Sequence, residues 1–192
     1  GKFIDYVNSV SSTCDELKKM LNIKKPDFRM RDVEILIRYF SFAMFAKDYS
    51  GSMQQFLDNS CNKLNKTWDN RHLEIEDFYN RFQMAVQKTY DIFGNNAFHK
   101  FKANDYETKT NRAVADIMLF YFSDPGVQAG IPGHEKQIKL KFEELSTNRV
   151  DFLSSIETTT KSMQSVTERF NTWAEALSEE LGMKVQSPYS EN

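Results

Sequence analysis

Cysteine, glycine and proline are scarce in this 192-residue chain, at two, seven and four residues. Cys14 and Cys61 stand apart, with no CxxC spacing, which excludes a disulfide-stapled secreted scaffold and fits a reducing, cytoplasmic setting in which both thiols act as small buried hydrophobes. So little glycine and proline argues against a turn-rich β architecture. Every apolar run is cut by charge short of the ~18 residues that a spanning helix requires, and the N-terminus has no basic region leading into an apolar one, so no membrane span or signal peptide is expected. Charge of one sign is missing as well. With 25 basic and 27 acidic side chains, a net charge of -2 gives no overall pull on a polyanion, although a local basic patch is compatible with it.

What the chain has in quantity is aromatic residues, 16 Phe and 8 Tyr. They recur at helical spacing, and the composition predicts an all-α fold, an irregular bundle of about seven or eight helices around a Phe-rich core. Residues 1–182 are expected to form a single helical domain, and 183–192 a frayed tail. Phe3, Val7, Val10, Leu17 and Leu21 predict a first helix over 2–21, stopped by Pro26. A central helix follows from Asp32 to about Lys47, then a third carrying Met53, Phe56, Leu57, Cys61 and Leu64. The polar stretch 65–71 reads as a break before a fourth helix, whose first turn carries Glu74, Glu76 and Asp77 and whose buried stripe ends at Phe93. Gly94-Asn95-Asn96 stops it, and 97–106 reads as an aromatic-bearing connection. A fifth helix spans 110–122, and 125–133 is a Pro/Gly loop. Helices over 135–145 and 150–156 precede a last one from Met163 to Leu181, entered through the hydroxyl-rich 158–162.

The run Arg29-Met30-Arg31-Asp32-Val33-Glu34-Ile35-Leu36-Ile37-Arg38-Tyr39-Phe40 sets charges into one of the most apolar helical segments. Glu34, Arg38 and Ser41 share a narrow arc of a helix that is otherwise apolar, which predicts a buried i,i+4 pair of Glu34 with Arg38. A sharper reading makes Arg38 or Arg29 a phosphate or anion ligand.

Catalytic patterns are missing. There is no GxxxxGK[ST], no GxGxxG opening a helix, no GxSxG, and His72, His99 and His134 have no partner at a metal-ligand spacing, so no catalytic residue and no metal ligand is assigned. The best basic and aromatic stretch is Lys100, Lys102, Lys109 and Arg112 with Phe98, Phe101 and Tyr106, a composition that suits a nucleic-acid backbone. Asp105, Glu107 and Asp116 dilute it, and Phe98 and Phe101 are as simply core residues.

Five blocks taken together resemble a known family. They are Arg29-x-x-Asp32-x-Glu34-x-x-x-Arg38-Tyr39-Phe40, Tyr49 with Met53-x-x-Phe56-Leu57, Phe93-Gly94-x-x-Ala97-Phe98, Asn111-x-x-x-x-Asp116, and Thr159 or Thr160 leading to Val166-x-x-Arg169. In order and spacing they are similar to the helical C-terminal half of the GmrSD-type restriction endonuclease N-terminal domain family. The resemblance implies a helical, non-catalytic portion of a bacterial antiphage restriction protein. The family's ParB-like nucleotide-handling module, marked by a DGQQR motif, would be its partner. Neither that motif nor an HNH-type nuclease domain is in this sequence, so nucleotide and divalent metal would belong to the parent, with no cofactor in this chain. Arg29, Asp32, Glu34, Arg38, Asn111, Asp116 and Arg169 carry over as signature positions only. Asn111 and Asp116 lie about 140° apart on one helix and are expected to meet different neighbours.

Two functions compete on these grounds. One is a scaffold or DNA-facing module for the ParB-like domain, for which an apolar patch near the first helix would mark the docking face. The other is a stand-alone helical interaction bundle with no DNA role. A homo-oligomer fits either one.

Overall fold

The computed structural model describes residues 1–25, 27 and 29–190. The fold is all-α, with nine α-helices and one two-stranded hairpin among the described residues. The expected stop at Pro26 lies outside them, as do the last two residues of the tail.

The predicted first helix is two, α1 (Lys2–Thr13) and α2 (Asp15–Leu21), with Cys14 extended between them. The hydroxyls of Ser11, Ser12 and Thr13 donate to the carbonyls of Asn8, Ser9 and Val10. Such back-bonding competes with helix continuation, and three hydroxyl residues in a row are enough to end it here.

Helix α3 (Arg31–Phe45) is the expected central helix, with Ile35, Leu36, Tyr39, Phe40 and Phe42 buried. After it comes the main correction. The third and fourth expected helices are one continuous helix, α4 (Met53–Phe93), 41 residues long and about 60 Å from end to end. No glycine or proline falls inside it; Ser52 caps one end through the Gln55 amide and Gly94 stops the other at φ 57°. The polar stretch taken for a break serves α1 instead. Asn65 Oδ1 accepts from the Phe3 amide at 3.0 Å, which satisfies an open N–H at the start of α1, and Trp68 packs on Tyr6 with ring centroids 5.3 Å apart. Polarity there reflects a neighbour, not a turn.

A second correction concerns 97–110. Strands β1 (His99–Lys102) and β2 (Asp105–Thr110) pair antiparallel, with Lys102 opposite Asp105 and Phe101 opposite Tyr106. Ala103 and Asn104 both have positive φ, 52° and 62°, the backbone of a tight two-residue hairpin turn. Then follow α5 (Arg112–Phe122), α6 (Pro125–Gly130) inside the supposed Pro/Gly loop, α7 (Glu135–Asn148), α8 (Val150–Glu157) and α9 (Met163–Leu181).

Helix α5 is the innermost element, with nine of its eleven residues buried. The core is aromatic as expected: Phe42 meets Phe56 and Phe170 at 5.1 Å each, and Phe142 meets Trp173 edge-on at 5.6 Å. The tail, up to residue 190, lies packed against the helices. Val185 and Ser187 are buried, the Tyr189 hydroxyl donates to the Ala46 carbonyl at 2.9 Å, and its ring lies edge-on to Phe170. Among the described residues no helix is long and apolar enough to cross a membrane.

Candidate functional site: a buried charge knot and a cationic cleft

Helices α3 and α5 run side by side in the same direction, because two cross-pairs share one offset of 78 positions: Glu34 with Arg112, and Arg38 with Asp116. This overturns the expected Glu34–Arg38 pair. At spacing i,i+4 each side chain was free to reach a partner on its own helix, but the adjacent helix presents a better one. Arg38 Nε and Nη2 grip Asp116 Oδ1 and Oδ2 at 2.9 and 2.6 Å, a two-pronged match that a Glu on the same helix cannot offer as readily. Glu34 instead sits at the rim, where it accepts from Arg112 Nε at 2.9 Å with both side chains about a third to a half exposed.

From α9, Arg169 completes the knot. Its Nη2 donates to Asp116 Oδ2 at 3.0 Å, and its Nη1 to the carbonyls of Thr160 at 2.7 Å and Ser155 at 3.4 Å. The loop before α9 is bent to supply that carbonyl: Thr159 holds φ 45°, an uncommon conformation for a β-branched residue. The side chains of Arg38, Asp116 and Arg169 are 6, 2 and 0% exposed.

Two guanidinium groups therefore share one carboxylate, and one positive charge is left over in the core. Burial pulls on the Arg38 guanidinium, but the charge and hydrogen bonds of Asp116 outweigh it and raise Arg38 above its ordinary pKa. Arg169 is pulled below its ordinary value, first by burial and further by the charge of Arg38, against the opposing pull of Asp116. Among the described residues Arg169 Nε also has no hydrogen-bond partner. The arrangement fastens three helices and the 158–162 loop; its charged atoms are enclosed by protein rather than open to a substrate.

The other signature positions separate. Asn111 caps α5, accepting from the amides of Ala113 and Val114, while its Nδ2 donates to the Ile156 carbonyl of α8 at 2.9 Å. It meets a different neighbour from Asp116, as expected. Asp32 is buried at the start of α3, where its carboxylate accepts from the amides of Val33 and Asp27. Arg29 lies ahead of α3, its amide donating to Asp27 Oδ1 at 3.1 Å.

The basic stretch is largely neutralised. Lys100 is buried and bridges Glu107 at 2.8 Å and Glu157 at 3.1 Å, and Lys102 also pairs with Glu157. Fastening the hairpin to α8 is their evident task. Phe101 packs edge-on to Tyr106, whose hydroxyl donates to Glu143, and Phe98 is buried, so these aromatics are core and hairpin residues.

Lys109 and Arg112 have a different setting. They line a cleft of about 680 Å³ between α2, the N-terminus of α3, the hairpin and the N-terminus of α5, together with Lys19, Arg31, His99 and Tyr90. Sequence reasoning missed Lys19, and Arg31 was legible only as part of the charged run, because residues so far apart in the chain meet only through the fold. Burial lowers the His99 pKa below its usual value. His72, His99 and His134 lie on separate elements, and among the described residues no group of three or more His, Cys, Asp or Glu could hold a metal ion.

The exposed positions of α1 are Lys2, Asp5, Asn8, Ser9, Ser12 and Thr13, all polar. Large exposed apolar side chains occur elsewhere, at Met30, Leu73, Met84, Leu140, Val150 and Met163. The chain matches no family model, and comparisons with curated proteins and with solved structures return no match.

Proposed function

We propose that the chain is the helical, non-catalytic portion of a GmrSD-like antiphage restriction protein, acting in the cytoplasm as scaffold or DNA-facing module beside a ParB-like domain. The observation that carries this reading is the meeting of distant signature blocks around one point. Arg38 and Arg169 both donate to Asp116, and Thr160 gives its carbonyl to Arg169. Tyr49 donates to the Lys161 carbonyl and packs edge-on to Phe56 at 5.2 Å. A sequence signature made of a sealed charge knot is what a structural module needs, and it supports assigning the chemistry to other parts of the parent.

The alternative is a stand-alone helical interaction bundle with no DNA role. The polar exposed face of α1 favours it, since a neighbour docked there would be expected to cover apolar surface. Binding to short duplex and single-stranded DNA, measured for this chain and for the full-length parent over a salt series, separates the two. Affinity falling steeply with salt supports the DNA-facing module. Absence of binding at low salt by both proteins removes it and leaves the interaction bundle. A DGQQR motif in the reading frame upstream of Gly1 would support the family assignment independently.

A further inference from the structure

We infer that the cleft between α2, α3, the hairpin and α5 binds the phosphate oxyanions of a nucleotide or of a nucleic-acid strand. This stands on the geometry of the cleft and deepens the DNA-facing part of the function proposed above.

Four cations, Lys19, Arg31, Lys109 and Arg112, line the cleft, and no Asp or Glu does so among the described residues. Two carboxylates approach from its edge. Asp27 takes the Nε edge of Arg31, and Glu34 takes Nε and Nη2 of Arg112. A guanidinium carries five N–H donors, so both arginines keep donors for a further anion while their carboxylate partners hold them in place. Lys19 and Lys109 are exposed, and among the described residues neither forms an ion pair. Lys19 Nζ lies 3.8 Å from the Tyr90 ring centroid, a contact that orients the ammonium group without neutralising it. The cleft thus retains positive charge after its own carboxylates are counted, in a protein whose net charge is -2.

The contrast with the rest of the hairpin strengthens the assignment. Lys100 and Lys102 are matched to Glu107 and Glu157, whereas Lys109, on the same hairpin, is left open toward three other cations. Asn22, Asn95 and Thr108, residues whose side chains carry donors suited to phosphate oxygens, also line the cleft. Helices α3 and α5 also begin here, with Arg31 and Arg112 as their first residues, so the positive ends of both macrodipoles add to the field.

The test uses calorimetric titration with inorganic pyrophosphate, ATP without metal, and a short duplex DNA at about 50 mM salt, where phosphate contacts are weakly screened. It compares the wild type with Lys19→Glu/Lys109→Glu, with Lys109→Glu alone, and with Lys66→Glu, an exposed change on α4 outside the cleft. Lys109 is exposed and forms no ion pair among the described residues, so Lys109→Glu keeps the test valid if loss of the Lys19–Tyr90 contact disturbs folding. The expected result is binding by the wild type, weakened about tenfold or more in both cleft variants and unchanged in Lys66→Glu. Binding of pyrophosphate and ATP without DNA would support the cleft, name the nucleotide as the source and count against the DNA-facing reading. DNA binding that both cleft variants leave intact would overturn the cleft while the DNA-facing reading stands. Failure of the wild type to bind any of the three probes would overturn the cleft proposal.

Discussion

The charge knot and the cationic cleft are built from the same two helices and differ in almost everything else. Arg31 and Arg38 stand two turns apart on α3, and Arg112 and Asp116 one turn apart on α5. Seven residues along α3, an arginine passes from a half-exposed rim position to a side chain 6% exposed. In the core, Asp116 is shared by two guanidinium groups buried with it, so removing the carboxylate leaves two positive charges uncompensated. At the rim, Arg31 and Arg112 are 43 and 49% exposed, held by Asp27 and Glu34 through part of their donors while solvent screens the rest. The lesson is that arginine in this fold has no single role; depth decides whether its charge binds the protein to itself or stays available to a ligand.

The comparison can be broken most directly at Asp116. Asp116→Ala leaves Arg38 and Arg169 facing each other in the core without a counter-charge, and is expected to cost about 3–5 kcal/mol in urea unfolding. Arg38→Met should cost distinctly less, because Asp116 keeps Arg169. A loss below ~1 kcal/mol for Asp116→Ala, or the reverse ranking, would mean that the arginines are hydrated and that the knot is no knot.

One turn away, the expectation changes sign in its meaning. Arg112→Ala should alter stability by no more than about 0.5–1 kcal/mol, since the Glu34 pair is exposed. The same variant should weaken pyrophosphate binding measured by calorimetry. A large stability loss with unchanged binding would make the rim a structural extension of the knot and erase the contrast.

The smallest effect concerns His99 in the wall of the cleft. Burial lowers its pKa in the folded chain, so near and below its unfolded value, about 6.5, the unfolded chain binds more protons than the folded one. Stability therefore rises with pH through this window and is lost as pH falls through the folded pKa. In the absence of anions, His99→Gln should flatten that part of the curve of unfolding free energy against pH. An unchanged slope in the variant would show that His99 is as well solvated folded as unfolded.

Much of the helical content could be read from periodicity, and the reasons for the misses are local. The merged helix α4 was hidden because 65–71 is polar, yet Asn65 and Trp68 are spoken for by Phe3 and Tyr6 of α1. The hairpin was hidden because its second strand is mostly exposed and it turns on Ala103-Asn104, a weaker signal than Asn-Gly. For the site, the charged run on α3 correctly marked a buried charge. Its partner was misassigned because helical spacing ranks neighbours on one helix and is silent about residues 78 positions away.

The sequence by itself determined that this chain folds as helices around an aromatic core and that Arg38 lies within it, since a 3.6-residue apolar rhythm leaves few other arrangements. Only the tertiary structure decided which charges cancel. Setting α3 beside α5 in parallel gave Asp116 to Arg38 and Arg169, sent Glu34 to Arg112, and left Lys19 and Lys109 facing a common space. Electrostatic pairing depends on distance and desolvation, and both are properties of the packed molecule rather than of spacing along the chain.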